Sequence, residues 1–135
     1  MKCYFIAIDG DAVGDYLEFL IVTNQIQELS AFSLRYKSAM SWLESQLVEL
    51  FNATMIFSGG DNLLAFIPNE CNQEQIESVR RGFAQLTAKS LSVGLGMSPR
   101  QALFALQFAK SSGKNSIRRF DELPEDQIDN DNCSK

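Results

Sequence analysis

The order of elements in this sequence predicts an α+β fold, a βαββαβ unit followed by one further helix. Three observations predict it. Apolar runs of strand length occupy residues 2–8, 53–57, 63–67 and 91–95. The longer stretches between them carry apolar residues at steps of three and four, the spacing of a helix with one buried face. A glycine-rich turn, Ser58-Gly59-Gly60-Asp61-Asn62, joins the middle two runs as a hairpin.

The first run, KCYFIAI, is almost continuously apolar, as expected of a central strand covered on both faces, and Asp9 stands at its C-terminal end. Gly10-Asp11-Ala12-Val13-Gly14 reads as a turn leading into a short helix at 15–22. Asn24 with Gln27 has the form of a capping box for a long helix whose inner face is Leu29, Phe32, Tyr36, Met40, Leu43, Leu47 and Leu50. Asn72 and Gln75 cap a further helix, with Cys71 and Ile76 placed as a staple and Ile76, Val79, Phe83 and Leu86 facing inward. Ser98-Pro99-Arg100-Gln101 is a helix start with Ser as N-cap and Pro at the first position, and Gly113 is the expected stop. Residues 117–120 add a short edge strand.

This order is that of the ferredoxin-like or palm arrangement: an antiparallel sheet with helices on one face, the third strand lying between the first and second. The topology sets the hairpin tip beside the end of the first strand, so Asp9 and Asp61 become neighbours. One domain is expected over 1–123. The stretch 124–135 is expected to be an acidic, disordered tail.

Composition narrows the chemistry. Of the 17 acids and 12 bases, six acids and one base lie from Asp121 onward, leaving eleven of each in the body. A neutral body without an RNP1 pattern argues against an RNA-binding module or any stable nucleic-acid coat. With no histidine, Ser-His-Asp and Cys-His catalysis are excluded, as are most zinc sites. Any metal is then a hard, oxygen-bound ion, Mg2+ or Mn2+. Cys3, Cys71 and Cys133 are widely spaced with no CxxC pair and read as free thiols. No apolar run reaches the roughly 18 residues of a membrane span, and no signal peptide opens the chain, so a cytoplasmic location is expected.

Two acids converging at one sheet edge, each beside glycines, suit a magnesium ion that must also reach phosphates. Amides of the Gly10–Gly14 turn at a helix start are placed to cradle a polyphosphate. Asp9-Gly10-Asp11-Ala12-Val13-Gly14 also has the outline of a calcium loop, but Val13 and Leu20 stand where ligands are required.

Three segments, IDGDAVGD (8–15), FSGGDNLLAF (57–66) and ALFALQFAKSSGKN (102–115), resemble the GGDEF-type nucleotidyl cyclases. More closely, they resemble the palm of the type III CRISPR polymerase-cyclase subunit and its stand-alone relative, the minimal CRISPR polymerase. The chain's length suits the stand-alone form. The resemblance implies metal binding and catalysis by Asp9 and Asp61, with the Gly10 carbonyl as a backbone ligand. It implies triphosphate binding by the turn Asp11, Ala12, Val13 and Gly14, by Ser58, Gly59 and Gly60, and by Lys110 and Lys114. Asn62 stands where an acid is usual, which weakens a second metal; Asp11 is a candidate to supply the missing charge. Guanine-specific cyclases carry Asn where this chain has Leu17, so ATP is the implied substrate. The implied activity is synthesis of a cyclic di- or oligonucleotide messenger in antiviral defence by a homodimer. The alternative is a nucleotide-binding sensor or scaffold of the same fold with weakened catalysis.

Overall fold

A computed structural model of the chain describes residues 3–124. Strand β1 (Phe5–Gly10) is followed by helices α1 (Val13–Val22) and α2 (Ile26–Phe51), then β2 (Thr54–Ser58), β3 (Asn62–Phe66), α3 (Gln73–Thr87), β4 (Leu91–Gly96), α4 (Pro99–Ser111) and β5 (Ile117–Arg119). A 3₁₀ turn at Phe120–Glu122 closes the described chain. The expected acidic tail, apart from Pro124, and Cys133 lie outside the described residues.

The five strands order as β2-β3-β1-β4-β5. β3 runs antiparallel to both β1 and β2, as the ferredoxin-like order requires, and β4 runs antiparallel to β1. The edge strand departs from a purely antiparallel sheet: β5 pairs parallel to β4, Val93 opposite Ile117. A helix lies between the two strands in sequence, and such a crossover returns the chain in the same direction.

Alternate residues of β1 serve two layers. Ile6 and Ile8 join the main core, where Leu63, Ala65 and Ile67 beside β3 and Leu91, Val93 and Leu95 of β4 meet Phe32, Tyr36, Leu43 and Leu47 of α2 and Ile76, Val79 and Phe83 of α3. Ala7 faces the other way and packs with Ala102 and Leu106 of α4, flanked by Phe5 and Leu64. The expectation of helices on one face therefore holds for α2 and α3 but not for α4, which covers the opposite face of β1 and β4. Gly94 makes this possible. A Cβ there would collide with the Ala102 carbonyl and the Leu106 amide, so the α4 backbone lies directly on the strand.

Helix ends follow local chemistry. The Asn72 side chain accepts from the Glu74 and Gln75 amides, and Ser98 Oγ accepts from the Gln101 amide at 3.1 Å. Both caps are those expected. Asn24 does something else. It takes a left-handed conformation (φ 57°), its amide donates to Ile21 O and the Gln25 amide donates to Leu20 O. That pattern ends α1 as a Schellman motif, so α2 begins at Ile26 with Gln25 at the N-cap and no side-chain cap bond. Two inner-face expectations also shift: Leu50 and Leu86 are exposed, while Phe51 and Thr87 are buried in their place. Cys3 and Cys71 are buried free thiols, and burial pushes the Cys71 thiol up to about 11. Among the described residues, no helix is long and apolar enough to cross a membrane.

Candidate functional site

Asp9 is the last residue but one of β1 and pairs with Asn62 on one side and Ser92 on the other. Beyond this pair the Gly10 amide donates to Asp61 O at 2.8 Å, and the Gly59 amide closes the hairpin onto Asn62 O at 2.8 Å. The hairpin tip is thus pinned to the end of β1, and Asp61 is brought beside Asp9 as the topology predicts. The two acids border different cavities. Asp9 and Asn62 line a cavity of about 690 Å³ between the sheet and α4, with Phe57, Leu64, Leu103, Gln107 and Lys110. Asp61 lines a cavity of about 640 Å³ on the other face, with Ser58, Gly59, Gly60, Gly14, Tyr36 and Lys37.

Lys110, on the last turn of α4, reaches the same strand end. Its Nζ donates to Gly10 O at 2.8 Å and to Asp11 Oδ1 at 3.0 Å, and lies 3.2 Å from Asp9 Oδ2. Burial raises the Asp9 carboxyl above its ordinary value. Lys110 opposes that rise, while the charges of Asp61 and Asp11 add to it. Asp9 is consequently an acid whose ionised form depends on a nearby cation.

Asp11 differs from its sequence-based role. It is 5% exposed. Its Oδ1 accepts from Ser92 Oγ (2.7 Å) and Lys110, and its Oδ2 accepts from Ser90 Oγ (2.6 Å) and the Asn115 amide (2.9 Å). Burial alone would raise this carboxyl, but these bonds outweigh it and hold it below its ordinary value. Four donors fill the lone-pair sites of a carboxylate, so Asp11 has no oxygen to spare for a metal. Its amide is also taken, donating to Ser90 O at 3.0 Å. The residue is a buried clamp, and both expected roles, metal charge and phosphate-binding amide, give way to that one.

The rest of the turn leads into α1. Ala12 is left-handed (φ 57°) and the first helical bond of α1 runs from the Tyr16 amide to Ala12 O. The amides of Val13 and Gly14 therefore precede any intrahelical acceptor, as in every helix start. Lys114 is not on α4. Gly113 (φ 118°), Lys114 (φ 64°) and Asn115 (φ 47°) form a left-handed run after the helix, closed by the Lys114 amide on Ala109 O. Lys114 is exposed on this turn. The turn is tied down at Asn115, whose amide bonds Asp11 and whose Oδ1 accepts from Arg80 at 2.7 Å.

Among the described residues, no cluster of three or more His, Cys, Asp or Glu forms a complete metal cage. Asp9, Asp61 and the Gly10 carbonyl are all hard oxygen donors, and the Gly10–Asp9 pocket already holds one cation, the Lys110 ammonium. That donor set fits Mg2+ or Mn2+ that keeps waters and takes further oxygens from a phosphate.

Sequence reasoning did not find Ser90, Ser92, Tyr36, Arg80 or Asn115. The alternation of Ser90 and Ser92 at the entry to the strand beside Asp9 was the available signal: hydroxyls at period two share a face, and one that is buried needs an acceptor.

Solved structures share the fold. The GGDEF domain of DgcB from Caulobacter crescentus, in complex with c-di-GMP, superposes with a TM-score of 0.60 at 15% identity, covering 87% of this chain and 77% of that one. The Csm1-Csm4 cassette in complex with pppApA gives 0.68 at 19% identity over 86% of this chain, which spans only 21% of the matched subunit. The GGDEF domain of PA1120 (TpbB or YfiN) from Pseudomonas aeruginosa gives 0.58 at 17% identity, covering 93% and 80%. No curated protein matches the sequence. The family model of the minimal CRISPR polymerase domain matches residues 5–120. With that match over most of its length, a palm-type sheet and the acid-bearing hairpin on the end of β1, the chain belongs to the minimal CRISPR polymerase domain family.

Proposed function

We propose that this chain is a metal-dependent nucleotidyltransferase that joins the nucleotides of ATP into a cyclic di- or oligonucleotide messenger of antiviral defence. The observation that carries the reading is the meeting of Asp9 and Asp61 at one strand end, on either side of a backbone bond of 2.8 Å, with the Lys110 ammonium against the Gly10 carbonyl. Structures of the shared fold are described in complex with c-di-GMP, pppApA and cA4, which supports a nucleotide as ligand.

Asp9, Asp61 and the Gly10 carbonyl would hold Mg2+ or Mn2+, which supplies charge neutralisation at the phosphates and a lowered pKa at the attacking ribose hydroxyl. The chain's own residues supply position. Lys110 exchanges its bonds with Gly10 and Asp9 for bonds to the β- and γ-phosphates. Asp11, bonded to Lys110 and to the Asn115 amide, keeps that lysine and the Lys114 turn in place. The amides of Ala12, Val13 and Gly14 receive phosphate oxygens at the start of α1. Ser58, Gly59 and Gly60 form the opposite rim, so the triphosphate is gripped between turn and hairpin and the α-phosphate is held for attack. Closing a ring needs two nucleotides face to face, which a two-fold homodimer with one nucleotide per protomer provides. The reaction belongs to the cytoplasm, where ATP is abundant.

One observation favours a second reading. Asn62, paired with Asp9, is neutral where a second acid would strengthen metal binding, and Asp11 does not replace it. A nucleotide-binding sensor with weakened catalysis would look the same. Incubation with ATP and Mg2+ or Mn2+, followed by mass spectrometry, separates the two. The transferase gives a phosphodiester product and pyrophosphate; bound but unconverted ATP under both metals means the sensor.

A further inference from the structure

Tyr36 lies on the third turn of the inner face of α2 and is 5% exposed, yet its hydroxyl has no hydrogen-bond partner among the described residues. Its ring is well held, edge-on to Phe83 at 5.4 Å and tilted against Phe32 at 5.6 Å. The hydroxyl is pushed up against Gly10: a Cβ on that residue would collide with the Tyr36 oxygen and lie 2.9 Å from Val13 Cγ2. This explains why residue 10 carries no side chain. It also places the phenol tip, itself sealed from solvent, beneath the turn that joins β1 to α1, next to the cavity that Tyr36 lines with Asp61, Ser58 and Gly14.

A buried donor left without an acceptor is costly, roughly 1–3 kcal/mol. Phenylalanine fills the same space without that cost, so the ring alone does not explain a tyrosine here. A tyrosine hydroxyl is protonated at neutral pH, so it can donate. A donor set beneath an anion-binding helix start, beside two metal-type carboxylates, is placed for an anionic oxygen.

We propose that the Tyr36 hydroxyl is a substrate-binding donor, taking a phosphate oxygen of the bound nucleotide at the junction of the β1–α1 turn and the β2–β3 hairpin. This rests on the nucleotide reading given above. The ring is held in place by Phe32 and Phe83, and the missing side chain at Gly10 leaves room for the hydroxyl.

The test pairs stability with binding in Tyr36→Phe. Removing an unsatisfied donor leaves resistance to urea unchanged or increases it, while affinity for α,β-methylene-ATP with Mg2+ falls about tenfold, as for one lost bond to a charged group. A loss of stability with unchanged affinity would show a structural hydroxyl and overturn the proposal. A second measurement uses the unmutated protein, labelled with ¹³C at tyrosine Cζ. The Tyr36 resonance, one of only three tyrosine signals, shifts on saturation with the analogue; an unmoved resonance at saturation contradicts the contact. The failures are distinguishable. Wild type that does not bind the analogue sinks the nucleotide reading itself, whereas equal binding by wild type and Tyr36→Phe sinks only the role of the hydroxyl.

Discussion

At the scale of single residues, the site is organised by a carboxylate whose oxygens are all taken by the chain's own donors. Asp11 collects a hydroxyl from each of Ser90 and Ser92, the Lys110 ammonium and the Asn115 amide. Its replacement by alanine would strand all four donors, one of them, Ser92, on the strand beside Asp9. Asp11→Ala is expected to cost about 3 kcal/mol, the scale for breaking a buried charged pair, read from urea denaturation. The pH dependence has a definite sign. The folded carboxyl lies below its ordinary value of 3.8, so its contribution is complete above that value and is lost as the pH falls through the lower folded value. Acid titration of stability should therefore show a limb below about pH 4 that is absent in Asp11→Asn. This residue also shows where the sequence stops being informative. Asp9 and Asp61 were legible because each is an acid flanked by glycine at a strand end. Asp11, two positions from Asp9, has the same local signature. Only the groups arriving from the entry to β4, from α4 and from the turn after it, 79 to 104 positions away, decide that its oxygens are consumed.

At the scale of elements, α4 is the part that completes the site, because it alone carries Lys110. Its start was readable: Ser98 caps the helix, and Gln101 reaches back to the Met97 amide at 2.9 Å. Ser98→Ala should cost about 1 kcal/mol of stability, seen as a lowered denaturation midpoint with an unchanged slope. Its seat was not readable from periodicity. α4 rests on Gly94, where an added Cβ meets helix backbone that cannot rotate away. Gly94→Ala is expected to lose several kcal/mol, beyond the 1–3 kcal/mol of ordinary overpacking. It should also weaken nucleotide-analogue binding, since lifting α4 withdraws Lys110 from Gly10. The misread start of α2 has a similar cause. Asn is a good N-cap and also a tolerated left-handed residue, and at Asn24 the end of α1 claimed it first.

At the scale of the molecule, the strand order carried the argument. The alternation βαββαβ fixed which strands are neighbours, and neighbourhood joined Asp9 to Asp61 across 52 positions. The faces were less legible, because helix periodicity shows that a helix has a buried side without showing which side of the sheet receives it. α2 and α3 filled one face, so α4 had only the other. That division leaves the acids between two cavities, about 690 Å³ and about 640 Å³, on opposite sides of the strand end. Ring closure by a homodimer makes a prediction at this scale: product formed per chain should fall on dilution through the dimer dissociation range, followed by light scattering alongside turnover.

The central claim is that Asp9 and Asp61 together hold the metal for nucleotidyl transfer. It is tested most directly by measuring phosphodiester product from ATP for wild type, Asp9→Asn and Asp61→Asn under Mg2+ and Mn2+, with folding of each variant checked by circular dichroism. The expected result is product from wild type and a loss of at least about 100-fold in both variants, the scale of removing an electrostatic group that acts at the transition state. Product retained by either folded variant would contradict the account and place the metal elsewhere.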